Sequence, residues 1–328
     1  VSNATSALHL SLKALGIGKG DEVIVPDMTF VATANAVALS GAKPVFADVE
    51  EDTMNISADS IKENLSSKTK AILPVHFAGL ACDMTKIKKI AKENNLKILE
   101  DCAHAIGTTW QKKHVGNFGD AGCFSFYPTK NMTTIEGGMI VTSSQKIANY
   151  VTSARNHGLT KTLTQRYSHG KPWDYDMKES GYNYRLDEIR SALGLSQLKK
   201  VRIFNEQRKK IFEYYNSGLR NIDGIITPKT PLNGIHSHHL YILRIKQGAT
   251  ASRDIVFDKL LKYGIKTSLH YKPLHKFSAF RKFTGKSRFT YSEKLYKEII
   301  SLPFYPNIPK KHQDYVIECL QKIMNSKK

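Results

Sequence analysis

Short apolar runs alternate with amphipathic ones through the first half of the chain. The mainly apolar stretches Glu22 to Val25, Pro44 to Ala47, Ala71 to Val75 and Leu96 to Leu99 have the length of buried strands. Between them, Val31 to Leu39, Ser57 to Leu65 and Met84 to Asn94 space their apolar residues as helices do. Ser57 suits an N-cap, and Asp59 adds negative charge to the first turn that follows. Strand–helix alternation at this pitch predicts parallel βαβ units. Ala121 to Phe126 and Met139 to Thr142 read as further strands, and Ser144 to about Arg155 as a helix. The polar segment Thr160 to Glu179, with Trp173 and several tyrosines, is expected to be a long loop, a kind of segment that often serves function. Asp187 to Tyr215 predicts one or two helices, with Leu193, Leu195, Leu198 and Val201 at the apolar positions.

The pattern changes near Ile225. His238 to Ile245 and Ile265 to His270 read as strands, and Asp254 to Tyr263 as a helix that Gly264 closes. Glu293 to Ser301 reads as another helix. The expectation is a large α/β domain over 1–224 and a small α+β domain over 225–328, with no internal repeat.

Length and charge narrow the class. A chain of 328 residues can bury a full core. No apolar run reaches the ~18 residues of a membrane span, and no signal-peptide pattern opens the chain. Cys82, Cys102, Cys123 and Cys319 are scattered without metal-ligand spacing, which fits small buried hydrophobes in a reducing cytoplasm. The formal net charge of +20 raises nucleic-acid binding as a possibility. The lysines are spread, however, as in Lys86, Lys88 and Lys89, Lys199-Lys200, Lys209-Lys210 and Lys310-Lys311, mostly within helix-like stretches whose solvated faces they suit. Lys327-Lys328 reads as a frayed end. Neither nucleic acid nor membrane is an expected partner. A cationic surface instead steers anionic small molecules.

Two segments carry candidate chemistry. In Cys123-Phe124-Ser125-Phe126-Tyr127-Pro128-Thr129-Lys130-Asn131, a lysine sits just past an apolar strand, near the Gly137-Gly138 turn. Burial disfavours an ammonium and frees a nucleophilic amine, so Lys130 is a candidate Schiff-base lysine; an ordinary surface lysine is the competing reading. In Leu96 to Ala105, a strand ends in Asp101, with His104 three residues on and on the same face if that turn is helical. Asp101 could hold a pyridinium nitrogen or simply cap a helix, and His104 could be a core histidine. Thr5 and Ser6 precede the apolar run Ala7 to Leu15, where a helix start offers phosphate-binding N–H groups or plain capping.

The chain resembles the DegT-type aminotransferases, which use pyridoxal 5'-phosphate (PLP) and act on nucleotide-linked keto sugars. The resemblance runs almost end to end in ordered motifs. They include Asn3 to Leu10, Gly18 to Asn35 (GKGDEVIVPDMTFVATAN), Gly41 to Phe46, Ala71 to Gly79 (AILPVHFAG) and Glu100 to Gly107 (EDCAHAIG). Gly119 to Asn131 (GDAGCFSFYPTKN), Glu136 to Gly138, Arg155 to Gly158, Gly181 to Leu198 (GYNYRLDEIRSALGLSQL) and His270 to His275 follow. The resemblance implies the aspartate-aminotransferase-like fold type I, an α/β large domain with a mainly parallel sheet and a smaller C-terminal α+β domain. It assigns the internal Schiff base and proton transfer to Lys130, where relatives that dehydrate carry histidine. It assigns the ring nitrogen to Asp101, the neighbourhood of the 3′-oxygen to His104, a face of the ring to Phe30, and the phosphate to Thr5, Ser6 and Ser125. Asn183 would reach the phosphate from a partner subunit, which implies a homodimer. Arg185, His270, Tyr271 and His275 would meet the sugar substrate, the nucleotide or the amino-acid donor, with internal structural roles equally open.

Members of that family carry some tens of residues before the motif that starts here at Asn3, so the chain is expected to lack that segment. The expected activity is ping-pong transamination, with glutamate as donor, in pathways of surface polysaccharides or modified sugars. The alternatives are a PLP-dependent sugar dehydratase or other PLP enzyme, and a non-catalytic basic binding protein on a degenerate scaffold.

Overall fold

A computed structural model of the chain describes all residues except 162, 169, 170, 231, 232, 286 and 326–328. The Lys327-Lys328 end therefore lies outside the described residues. The first half builds a six-stranded sheet from β1 (Glu22–Pro26), β2 (Lys43–Ala47), β3 (Thr69–Ile72), β4 (Lys97–Asp101), β7 (Ala121–Ser125) and β8 (Gly138–Val141). Its order is β2-β1-β3-β4-β7-β8, parallel throughout except for the antiparallel edge strand β8. A small hairpin, β5 (Thr109–Trp110) and β6 (Lys113–His114), interrupts the run between β4 and β7.

The middles of the strands are mainly apolar because both faces of the sheet are covered. Val23, Val25, Ala71, Leu99, Ala121 and Cys123 face a core shared with helices α1 (Ala4–Ala14) and α2 (Val31–Leu39). Ile24, Ile72 and Ile98 face the other core, against α3 (Ala58–Glu63) and α4 (Met84–Glu93). Ser57 caps α3 as expected, its side chain accepting from the Ser60 amide. Helix α1 starts earlier than its apolar run suggests. Asn3 is the N-cap and accepts from the Ser6 N–H, which places Thr5 and Ser6 inside the first turn.

Helix α5 (Gln145–Ala154) packs against α1, and a short helix α6 (Leu163–Ser168) lies within the segment expected to be loop. Two helices follow, α7 (Glu188–Leu198) and α8 (Val201–Leu219). The second core gathers Ile211, Phe212, Tyr215 and Leu219 of α8 with strands β9 (Ile225–Ile226) and β10 (Ile242–Ile245) and helix α9 (Arg253–Lys262). The division at 225 thus falls inside this packing: α8 precedes it in sequence and packs beyond it.

Three elements of this half differ from expectation. Glu293 to Ser301 divides into α10 (Thr290–Glu298) and β11 (Ile299–Ser301), because buried, β-branched Ile299 and Ile300 pair with β10. Ile265 to His270 contributes only the bridge between Ser268 and Ser301. Of His238 to Ile245, only the last four residues join the ladder; His239 instead donates its N–H to the Ala78 carbonyl, 2.9 Å away, in the large unit. Helix α11 (Lys310–Asn325) closes the chain and packs Val316, Leu320 and Ile323 into the second core. Among the described residues no helix is long and apolar enough to cross a membrane.

Candidate active site

Parallel strands end on the same side of the sheet, and β4 and β7 deliver Asp101 and Ser125 to that edge. A cavity of about 470 Å³ opens there. Thr5, Phe30, Asp101, His104, Ser125, Lys130, His270 and Tyr271 all line it. Eight positions from five separated motifs thus converge on one space.

The turn after β7 places Lys130. Its amide donates to the Tyr127 carbonyl at 2.9 Å, and its side chain borders the cavity. Burial lowers the Lys130 amine from 10.5 to about 8, against the opposing pull of the Asp101 charge. The turn is braced from behind: Gly137 leaves room for Thr134 Oγ1, and Gly138 lies where a Cβ would stand 2.5 Å from the Asn3 backbone. The Gly-Gly pair is therefore what brings the α1 N-terminus and the lysine turn together.

Asp101 ends β4, which runs two residues past the expected Leu99 because the chain at Val75 continues to pair with it. No helix follows, so Asp101 caps none. Its Oδ1 accepts the Ala103 N–H at 3.0 Å, and its Oδ2 accepts the Thr33 hydroxyl at 2.9 Å. Burial raises the Asp101 carboxyl, while those two bonds and the Lys130 cation pull it down. A buried acid of this kind suits a cationic ring nitrogen, which would supply the counter-charge that burial withholds.

His104 sits in a turn rather than in a helix. Its Nδ1 accepts the Ala78 N–H at 3.3 Å, and its Nε2 lies 3.2 Å from the Tyr271 hydroxyl. Burial, then the Lys130 and His270 charges, push it well below the ordinary histidine range, so the ring is neutral. Phe30 is 54 % exposed, into the cavity, with its ring 5.9 Å from that of Tyr271. It is available to cover a flat ligand, as a core phenylalanine would not be. His270 is lowered to about 4 by burial and by Lys130, and its Nδ1 meets Ser301 Oγ at 2.8 Å.

Four expected residues lie outside the lining. Ser6 is buried, its hydroxyl 3.1 Å from that of Ser2. Asn183 and Arg185 are exposed on a segment whose alternate residues, Tyr182 and Tyr184, stack on each other and meet His9 edge-on; Arg185 donates to Asn156 Oδ1 at 2.9 Å. His275 is held between Asp27 at 2.7 Å and Glu293 at 3.3 Å, with its ring 4.3 Å from Phe289. Burial lowers His275, but its two acidic partners outweigh that and raise it. It anchors the segment that carries His270 and Tyr271.

Thr33, Asn131 and His239 were not singled out from sequence. Thr33 and Asn131 lie inside the quoted motifs, four residues after Thr29 and one after Lys130, and that proximity was the available signal. His239 comes from the second half, and nothing local marks it.

Neighbouring Glu100 has a different task. Burial would raise it, but His76 and the Gly116 and Gly119 amides hold it below the usual carboxylate range. It accepts from His76, Gly116, Phe118 and Gly119 at 2.7–3.0 Å. Among the described residues, His76, Glu100 and Cys102 alone cluster at metal-ligand spacing. His76 Nδ1 already accepts from Cys82, and the Cys102 thiol is pushed well up by burial, so the group reads as a buried brace.

The family model for the DegT/DnrJ/EryC1/StrS aminotransferases matches residues 1–321. The spore coat polysaccharide biosynthesis protein SpsC of Bacillus subtilis is 40 % identical over 329 residues, covering 99 % of this chain and 84 % of that protein. Helicobacter pylori PseC, an aminotransferase involved in pseudoaminic acid biosynthesis, superposes with a TM-score of 0.90 at 31 % identity, covering 98 % of this chain and 85 % of PseC. The sugar aminotransferase Spr1654 of Streptococcus pneumoniae, in its pyridoxamine phosphate form, gives 0.91 at 29 % identity over 98 % and 86 % of the two chains.

Proposed function

The chain belongs to the DegT/DnrJ/EryC1/StrS aminotransferase family of PLP-dependent enzymes, and from that premise we propose that it moves an amino group from glutamate onto a nucleotide-linked keto sugar by a ping-pong reaction. The supporting observation is one cavity that holds a lysine of depressed basicity together with a buried acid.

When bound, PLP supplies an aldehyde that condenses with amines and a ring that withdraws electrons from the reacting carbon. Asp101, held by Thr33 and Ala103, would face the ring nitrogen and favour its protonated form. Lys130, with an amine near 8, is half unprotonated at mildly alkaline pH and moves the proton at the donor's α-carbon. Thr5 in the first turn of α1, where helix N–H groups lack helical partners, and Ser125 at the end of β7 take the phosphate. Ser6 supports them by closing the cap on Asn3. Phe30 covers the ring, His104 orients Tyr271, and His270 and Tyr271 face the sugar, with His275 fixing their segment.

The active unit in this reading is a homodimer. Helix α7 has no buried residue, and Ile189, Leu195 and Leu198 are 85 %, 66 % and 54 % exposed. Beside it opens an apolar cavity of about 410 Å³ lined by Phe124, Phe126, Met132 and Met139. A second copy covers this face, and Asn183 and Arg185 then reach the partner's cavity, Asn183 toward the phosphate. The reaction belongs in the reducing cytoplasm, where the four unpaired cysteines stay reduced.

The test is chemical. Borohydride treatment of PLP-loaded protein should leave the cofactor covalently on the peptide that contains Lys130, and glutamate should release one 2-oxoglutarate per loaded subunit. Cofactor trapped on another lysine, or equal trapping in Lys130→Ala, overturns the assignment.

A further inference from the structure

The lysine is followed by a buried amide whose orientation its surroundings dictate. Asn131 Nδ2 donates to Asn205 Oδ1 at 2.7 Å and to the Ser237 carbonyl at 2.6 Å. Asn205 is itself oriented, because its Nδ2 donates to the Ile106 carbonyl at 2.9 Å. Two acceptors on one end of Asn131 make that end the NH₂, so its Oδ1 faces His239 Nδ1 at 3.0 Å and must receive a proton from it.

His239 therefore carries its proton on Nδ1. Its ring lies 4.4 Å from that of His104, tilted by 37°. The same segment grips His104 through the backbone as well. Ser237 Oγ donates to the His104 carbonyl at 2.9 Å, and the His239 N–H holds the Ala78 carbonyl at 2.9 Å. Ala78 in turn points its own N–H at His104 Nδ1. That leaves the His104 proton on Nε2, where it faces Tyr271 Oη at 3.2 Å. Among the described residues Tyr271 Oη has no other hydrogen-bond partner, so its own proton is free for the cavity that it lines.

We propose that His239 is a positioning residue of this site: with Asn131 it holds His104 in place with the proton on Nε2, which makes the Tyr271 hydroxyl a donor toward an oxygen of the bound ligand. The inference rests on the proposed use of the cavity, but its geometry belongs to the unliganded protein. The charged and titratable groups around the two rings are Lys130 and His270, with Tyr271 beside His104 and Arg208 near His239. Both imidazoles are pushed well below the ordinary range, chiefly by burial, and burial together with the Asp101 charge keeps the Tyr271 phenol protonated. A ring removed from beside His104 admits water and relieves that burial.

The experiment is nitrogen NMR of the cofactor-free protein labelled with ¹⁵N-histidine. In the unmodified chain His239 should show Nδ1–H and His104 Nε2–H. In His239→Asn, which keeps a donor for Asn131 but loses the ring, His104 should lose its single tautomer. Its protonation midpoint should rise by more than about one unit. The PLP-loaded variant should then show a new fall in the glutamate half-reaction on the acid side, at the midpoint read by NMR. The opposite tautomer on either ring of the unmodified protein overturns the proposal, with no variant required. So does a folded His239→Asn protein whose His104 still carries one proton on Nε2 at pH 6. Failure of the borohydride test would instead remove the aminotransferase reading and leave these tautomers as measured.

Discussion

Lys130 holds its proton less tightly than a lysine in water because the turn after β7 takes its ammonium out of solvent. Against an ordinary lysine at 10.5, an amine near 8 has roughly three-hundredfold more neutral form at neutral pH. In cofactor-free protein, modification of Lys130 by an amine-selective reagent should therefore be flat above pH 8. Below that it should fall about tenfold per unit, whereas surface lysines titrate near 10.5. Mass spectrometry of the labelled peptides at a series of pH values reads this directly. The sign of the Asp101 contribution gives a second expectation. Its carboxylate stabilises the ammonium, so Asp101→Asn should move the Lys130 midpoint below 8. A midpoint that stays at about 8 would mean the two groups do not sense each other.

At the scale of elements, the α1 N-terminus is set by Asn3 and by its contact with Gly138. A methyl at Gly138 would stand 2.5 Å from the Asn3 backbone, and backbone cannot swing aside as a long side chain can. Gly138→Ala should cost about 1–3 kcal/mol of stability by overpacking. It should also weaken PLP binding at least tenfold, because it moves the helix end away from Ser125 and Lys130. Denaturant titration and cofactor fluorescence measure the two effects separately. The strands and helices of the first half were legible in sequence because each has its own period and the sheet is buried on both faces. The misread elements share one cause. Ile299 and Ile300 continue a helical pattern, Ile265 to His270 looks like a strand, and in each case partners distant in sequence decided the outcome. Tertiary pairing overrides local preference at such places.

At the scale of the whole molecule, the exposed α7 face is where the proposed homodimer can be tested. Burying Ile189, Leu195 and Leu198 against a second copy removes apolar surface from water at about 25 cal/mol per Å². Leu195→Asp should therefore shift the protein from dimer to monomer in sedimentation, with loss of transaminase activity if Asn183 acts across the interface. A variant that stays dimeric and active would remove α7 from the interface. The net charge of +20 acts over longer range, so if the proposed nucleotide-linked substrate is right, added salt should slow its association more than the chemical step.

Read by itself, the sequence determined the α/β class and the sheet-forming runs and singled out the lysine and the acid as candidates, because these rest on local period and on contiguous motifs. It also marked Phe30, Ser125, His104 and Tyr271 through motif resemblance. Only the tertiary structure decided which of those side chains share a cavity, that Asn3 rather than Thr5 caps α1, and that His275 braces instead of lining. It alone brought His239 beside His104 across more than a hundred residues, with 4.4 Å between the rings. The physical reason is that hydrogen-bond direction and burial belong to pairs of groups, and a pair distant in the chain leaves no periodic trace in it.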